Sequence, residues 1–376
     1  MRFEFATATR IVFGPGTVRE VPAAAAEMGR RVLAVTRRSA GLTLAGIAYA
    51  PFPVHGEPTV EIVRQGVQMA RADGCDMVIA LGGGSVIDAG KAIAAILGNG
   101  GDPMDYLEGV GQGLRPIRPS APFTAIPTTA GTGAEVTRNA VLRSPEHRVK
   151  ASLRGPHMLP RLAVVDPELT LHLPPALTAG TGLDALTQLI EPYVSCRANP
   201  LTDLYCAEGM RLAASALRRA WCDGRDLAAR TDMCFASLLG GLALANAGLG
   251  AVHGFAAPLG GMFDAPHGAL CAALLPHAMR VNIAAVRASP SHTESLARYA
   301  TVARILTGRS DATPEDGADR VAALCGDLEI RPLGAYGVSP ADVPALVDQA
   351  ARSSSMQANP IVLTRGQLEE LLTRAI

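Results

Sequence analysis

The sequence lacks any uninterrupted apolar run of the roughly 18 residues that a membrane-spanning helix needs, although 48% of its 376 residues are hydrophobic. Its opening, MRFEFATATRIVFG, has no apolar h-region behind the first basic residue. Neither a spanning helix nor a secretory leader is therefore expected, and the chain is assigned to the cytosol. Net charge is missing as well, since 34 Lys and Arg balance 34 Asp and Glu. With no overall field to gather polyanions, neither nucleic acid nor an anionic membrane is expected as a partner. Cysteines are few and unpaired in pattern: Cys75, Cys196, Cys206, Cys222, Cys234, Cys271 and Cys325 are odd in number, and no two stand as C-x-x-C. That argues against a disulfide framework and predicts reduced, mostly buried thiols. Aromatic residues make up only 4%, and with Ala and Leu abundant the balance leans towards helix.

What remains is ample apolar material for two cores of ordinary size. In the first half, short β-branched runs alternate with Ala-rich helical stretches, the pattern of a parallel α/β sheet. Residues 31–36, 77–81, 123–127 and 162–165 read as buried strands. After Asp166-Pro167 the strand pattern fades, and segments such as 204–217 and 227–247 carry apolar residues at helical spacing. The expected fold is an α/β domain over residues 1–168, followed by an all-α domain over 169–376. A ligand is expected in the cleft between two such halves.

The strongest local signal is Ala80-Leu81-Gly82-Gly83-Gly84-Ser85 running into Asp88 and Lys91. A strand, a glycine turn and a helix start together form a phosphate cradle, because glycine lets backbone N–H groups approach a pyrophosphate and the helix dipole favours its charge. The turn is not G-x-G-x-x-G, so an ordinary Rossmann dehydrogenase is not indicated. A second polar loop, Pro127-Thr128-Thr129 through Glu135-Val136-Thr137, can wrap a nucleotide, or simply start a helix capped by Thr132 or Thr137. Lys150, among apolar neighbours, is either a ribose or phosphate contact or an exposed strand-edge lysine.

Further along, His253 and His267 lie in a glycine-rich stretch, and Asp184 and Gln188 share one face of a helix beside an apolar stripe. A carboxylate in that position needs a partner. One Asp and two imidazoles suit Zn²⁺ or Fe²⁺ with positions left open for an alcohol oxygen. A capping Asp with two unrelated histidines is the competing reading.

Gly82-Gly83-Gly84-Ser85 with Asp88 and Lys91, Pro127-Thr128-Thr129, Asp166-Pro167, Asp184-Ala185-Leu186-Thr187, His253 and Pro266-His267-Gly268 together resemble the iron-containing (group III) alcohol dehydrogenases across nearly the whole chain. Glycerol dehydrogenases and dehydroquinate synthases share that architecture, and maleylacetate reductases are nearer relatives. The resemblance implies an N-terminal dinucleotide-binding domain, a helical metal- and substrate-binding domain, and a homodimer or larger assembly. It makes Gly83, Gly84, Ser85, Asp88, Thr128, Thr129, Thr137 and Lys150 cofactor contacts. Asp184, His253 and His267 become the metal ligands and the catalytic set.

Two positions depart from the family. Where it usually supplies a histidine four residues after the aspartate, this chain has Gln188, whose amide oxygen is a weak ligand for these cations. Where a second histidine often follows His253, it has Ala257. A carboxylate after the second strand commonly selects NAD, but here Arg37 and Arg38 follow Thr36. Guanidinium forks suit a 2′-phosphate, so NADP is expected over NAD. The activity expected is reversible hydride transfer between NAD(P) and a small alcohol with its aldehyde or ketone. The alternatives are a metal-independent maleylacetate-type reductase and a non-catalytic nucleotide-binding protein.

Overall fold

The computed structural model describes residues 2–37, 44–147 and 149–376. It divides into two compact units: one holds Ala6–Thr129 and Gly133–Leu171, and the other holds His172–Ile376 with Ala130–Thr132 and the first five residues.

The first unit is built on β1 (Arg10–Phe13), β2 (Arg31–Thr36), β3 (Ala48–Pro53), β4 (Met77–Gly82), β5 (Phe123–Pro127) and β8 (Leu162–Val165). These pair in parallel in the order β1-β8-β5-β4-β2-β3. The runs Val32–Val35 and Met77–Ala80 are buried on both faces, as a sheet covered by crossover helices requires. Helix α1 (Val21–Ala26), α2 (Val60–Ala72) and α3 (Gly84–Asn99) supply that cover. Burying each such Val, Ile or Leu contributes roughly 1.5–3 kcal/mol over leaving it exposed. A separate antiparallel pair, β6 (Asn139–Ser144) and β7 (Val149–Arg154), packs its alternate residues Ala140, Leu142, Ala151 and Leu153 into the same core.

Strand order decides where a ligand can enter. From β2 the chain moves outward to β3, then crosses back to lay β4 on the other side of β2. Such a switch point opens a crevice at the carboxyl ends of the two strands. The register Thr36↔Leu81 and Gly82↔Pro127 brings Arg37, the Gly82–Gly84 turn and Thr128 to that one edge.

The second unit is helical: α4 (Pro175–Val194), α5 (Pro200–Cys222), α6 (Leu227–Ala247), α7 (Ala251–Met262), α8 (His267–Arg287), α9 (Thr293–Thr307), α10 (Pro314–Asp327), α11 (Val343–Ala351) and α12 (Arg365–Ala375). Helix α4 is buried nearly all round between α5, α6 and α8. Two glycines permit its approach to α8, since a Cβ on Gly268 would stand 2.5 Å from the Gly180 carbonyl oxygen. Helices α6 and α8 are long and apolar enough to cross a bilayer, but each is mostly buried inside this unit, which identifies them as core helices.

Candidate active site

In the α/β unit the two polar loops meet. Gly82 O accepts from Thr128 N at 2.9 Å, and a Cβ on Gly83 would touch Thr129 Cγ2 at 3.4 Å. Gly83 stands at the N-cap of α3 with no side chain to cap it, and a helix N-terminus of this kind suits an anion. Arg37 is exposed directly after β2, while Arg38 lies outside the described residues.

Asp88 and Thr137 are drawn instead into an internal knot around Lys91. The Lys91 ammonium, 1% exposed, donates to Ala134 O at 2.7 Å, Thr137 Oγ1 at 2.9 Å and Asn139 O at 2.8 Å. Asp88 lies 4.0 Å away and accepts from Val141 N. Burial lowers the Lys91 pKa to about 8 and raises that of buried Glu135 to about 7. The loop after β5 is thereby fastened to α3, and its last turn is a short 3-10 segment, Ala134–Val136, entered through left-handed Gly133. Neither Thr132 nor Thr137 is its N-cap, and Thr137 instead closes the segment as its C-cap, donating to Ala134 O. Lys150, on β7, is paired with Glu57 and mostly buried, so it is not an exposed strand-edge lysine.

In the helical unit Asp184, His253 and His267 converge. Asp184, on α4, is 1% exposed; its Oδ1 lies 3.3 Å from His253 Nε2 on α7 and 3.8 Å from His267 Nε2 at the start of α8. Yet among the described residues this oxygen has no hydrogen-bond partner. The reason sits behind His253. Its Nδ1 donates to the Glu191 carboxylate at 2.7 Å, which leaves Nε2 of the neutral ring with a lone pair aimed at another acceptor. With the ring neutral, these are two acceptors facing each other, and a cation between them would satisfy both. The donor set, carboxylate and imidazole, is one that Zn²⁺ and Fe²⁺ accept.

Without a metal, the electrostatics favour a proton in the place a cation would take. Burial would raise the Asp184 pKa, but His267 and His253 outweigh it and hold the carboxyl below its usual value. Burial would lower both imidazoles, yet the neighbouring Cys271 sulfur and Asp184 raise them, His253 well above the ordinary range. Gln188, one turn from Asp184, is buried with its Oε1 unpartnered among the described residues.

Two residues of this site escaped the sequence reading. Glu191 Oε1 accepts from Val252 N at 2.7 Å, so the carboxylate that fixes the His253 ring also caps α7 from α4. Gly250 is required beside it, since a Cβ there would meet Glu191 Oε1 at 2.9 Å. Cys271 Sγ lies 3.6 Å from His267 Nε2 and 3.8 Å from His253 Nε2. Spacing held the signal for both: Asp184, Gln188 and Glu191 are i, i+4 and i+7, and His267 and Cys271 are i and i+4.

The comparisons with known proteins agree across both units. Residues 8–167 match the family described as iron-containing alcohol dehydrogenase, and residues 178–376 match the C-terminal part of the same family. Alcohol dehydrogenase 4 of Schizosaccharomyces pombe is 39% identical over 324 residues, which is 86% of this chain and 74% of its own length. The NAD-dependent methanol dehydrogenase of Bacillus methanolicus is 32% identical over 385 residues, 97% of each chain. The solved structure of an alcohol dehydrogenase from Oenococcus oeni superposes with a TM-score of 0.90 at 32% identity, over 100% of both chains.

Proposed function

The chain belongs to the iron-containing alcohol dehydrogenase family, an NAD(P)-dependent oxidoreductase of small alcohols and their aldehydes or ketones, and we propose that it works with NADP and a divalent cation held by Asp184, His253 and His267. The observation that carries the metal reading is the buried Asp184 Oδ1, without a hydrogen-bond partner among the described residues, facing a histidine nitrogen whose ring is fixed by Glu191. Zinc or iron bound there supplies Lewis-acid polarisation of the substrate oxygen. Residues 1–168 serve the dinucleotide, and residues 169–376 serve the metal and the substrate. Family membership also supports a homo-oligomer.

The chain's own groups have separate tasks. Glu191 holds His253 in one tautomer, so that Nε2 is a donor of electrons and not of a proton. Asp184 brings a buried negative charge, whose attraction for a cation is stronger than it would be in water. The first amides of α3 and the Thr128-Thr129 loop hold the pyrophosphate and place the nicotinamide, whose hydride is the reducing equivalent. Arg37, at the carboxyl edge of β2 beside the glycine turn, would take the 2′-phosphate. Ala257 offers no proton, so water or a ribose hydroxyl carries it to and from solvent.

The test combines metal analysis of the purified protein, the Asp184→Ala variant, and NADPH-dependent aldehyde reduction with and without chelator. Near-stoichiometric metal that disappears with Asp184, and activity that follows it, is the expected result. Full activity without metal would instead establish the metal-independent reductase.

A further inference from the structure

We infer that Cys271 is a fourth protein ligand of the metal, taking the coordination place that Gln188 fills poorly and biasing the site towards zinc over iron. This rests on the metal reading above and goes beyond it by adding a residue and a preference. The geometry is direct. One ligand atom each from Asp184, His253, His267 and Cys271 all lie within 4.8 Å of one another. Cys271 is fully buried, and it projects from the same face of α8 as His267, one turn on. The cluster does not stand on the cysteine alone, because the Asp184 oxygen aimed into it is itself buried and has no hydrogen-bond partner among the described residues.

Chemistry decides between the two candidates for the fourth place. With Gln188, a doubly charged cation would face one carboxylate and neutral donors, leaving a net charge of one unit among mostly buried side chains. With Cys271 bound as thiolate, carboxylate and thiolate together neutralise the cation, and burying uncompensated charge is costly. On binding, the thiol proton passes to solvent and the sulfur lone pair to the metal. A soft thiolate also favours Zn²⁺ over Fe²⁺, both through donor type and through the divalent affinity order.

Cobalt reads the ligand set without reference to turnover. The full-length protein is stripped of metal, loaded with Co²⁺, and its spectrum recorded beside Cys271→Ser and Gln188→Ala. The expected result is a near-ultraviolet thiolate-to-cobalt charge-transfer band in the wild type and in Gln188→Ala, lost in Cys271→Ser while visible d–d absorption persists. In chelator competition, Cys271→Ser should lose Zn²⁺ affinity by at least the roughly 10–100-fold that removing an outer-shell partner costs, with a smaller loss for Fe²⁺. Wild-type protein that takes up Co²⁺ with d–d absorption but no charge-transfer band overturns the cysteine ligand and leaves the three-residue site standing. Failure of the wild type to take up any metal overturns both.

Discussion

The Glu191 carboxylate touches His253 Nδ1 with one oxygen and the Val252 amide with the other, each at 2.7 Å. One side chain on α4 thus sets both the ring state of a ligand and the start of the helix that carries it. Glu191→Gln should fold but lose metal affinity by about 10–100-fold, the usual cost of an outer-shell partner. Weakening the cap should take a further ~1 kcal/mol from stability. Chelator competition reads the first effect and thermal unfolding the second; unchanged affinity would mean that the ring is held by packing alone.

Arg37 follows β2 directly and is exposed, the position proposed above for a 2′-phosphate. The wild type should prefer NADPH, and Arg37→Asp should move the NADPH to NADH ratio of kcat/KM towards NADH by roughly tenfold to a hundredfold, the worth of a charge-assisted hydrogen bond. A wild type that prefers NADH removes the idea.

Gly268 and Gly180 let α8 and α4 meet backbone to backbone. In Gly268→Ala the new methyl would stand 2.5 Å from Gly180 O and 2.6 Å from its carbonyl carbon, and overpacking of this kind costs about 1–3 kcal/mol. Because His267 adjoins Gly268, metal affinity should fall with stability. Gly366→Ala, whose Cβ meets nothing within 4 Å, is the control, neutral or stabilising by up to about 1 kcal/mol.

Proton and metal compete for the same nitrogens. With the pKa values of His253 and His267 raised above the ordinary 6.5, the metal-free site holds its protons to higher pH than free imidazole does. Apparent zinc affinity should therefore weaken as pH falls, starting above about 6.5, and recover as pH rises past the raised values. Zinc titrations against a chromophoric chelator at several pH values test the sign. A flat profile down to the ordinary histidine range contradicts it.

Lys91 donates to three acceptors in the knot, of which Ala134 O also accepts from Thr137 N and Oγ1. Lys91→Met should cost about 1–3 kcal/mol for each acceptor left bare and raise KM for the dinucleotide by loosening the loop beside Thr128-Thr129. Its metal content should stay unchanged, since every ligand belongs to the helical unit. Loss of metal in this variant would show that the effect is global unfolding.

Much of the fold was legible because burial writes itself into pattern. Strands β2, β5 and β8 and helix α6 span the residues expected of them. Strand β3 did not announce itself because Pro51 and Pro53 break its β pattern, and it tolerates them as an edge strand whose outer side needs no ladder. Asp184, His253 and His267 were legible through family resemblance, and the structure brings them together. Glu191 was hidden inside a helix buried nearly all round, where no polar face marks the important side. Cys271 was hidden by its type, because a buried cysteine in an apolar helix is most often mere packing.

The four convergent donors come from three helices, with Asp184 about 70 residues ahead of His253 in the chain. A cation among them is a reversible cross-link, restricting the unfolded chain as a disulfide does across a long loop. Metal supply then acts as a dial on one half of the molecule. Zinc should raise the melting of the helical unit with concentration, while the glycine-turn unit, which contributes no donor, should answer only to the nucleotide.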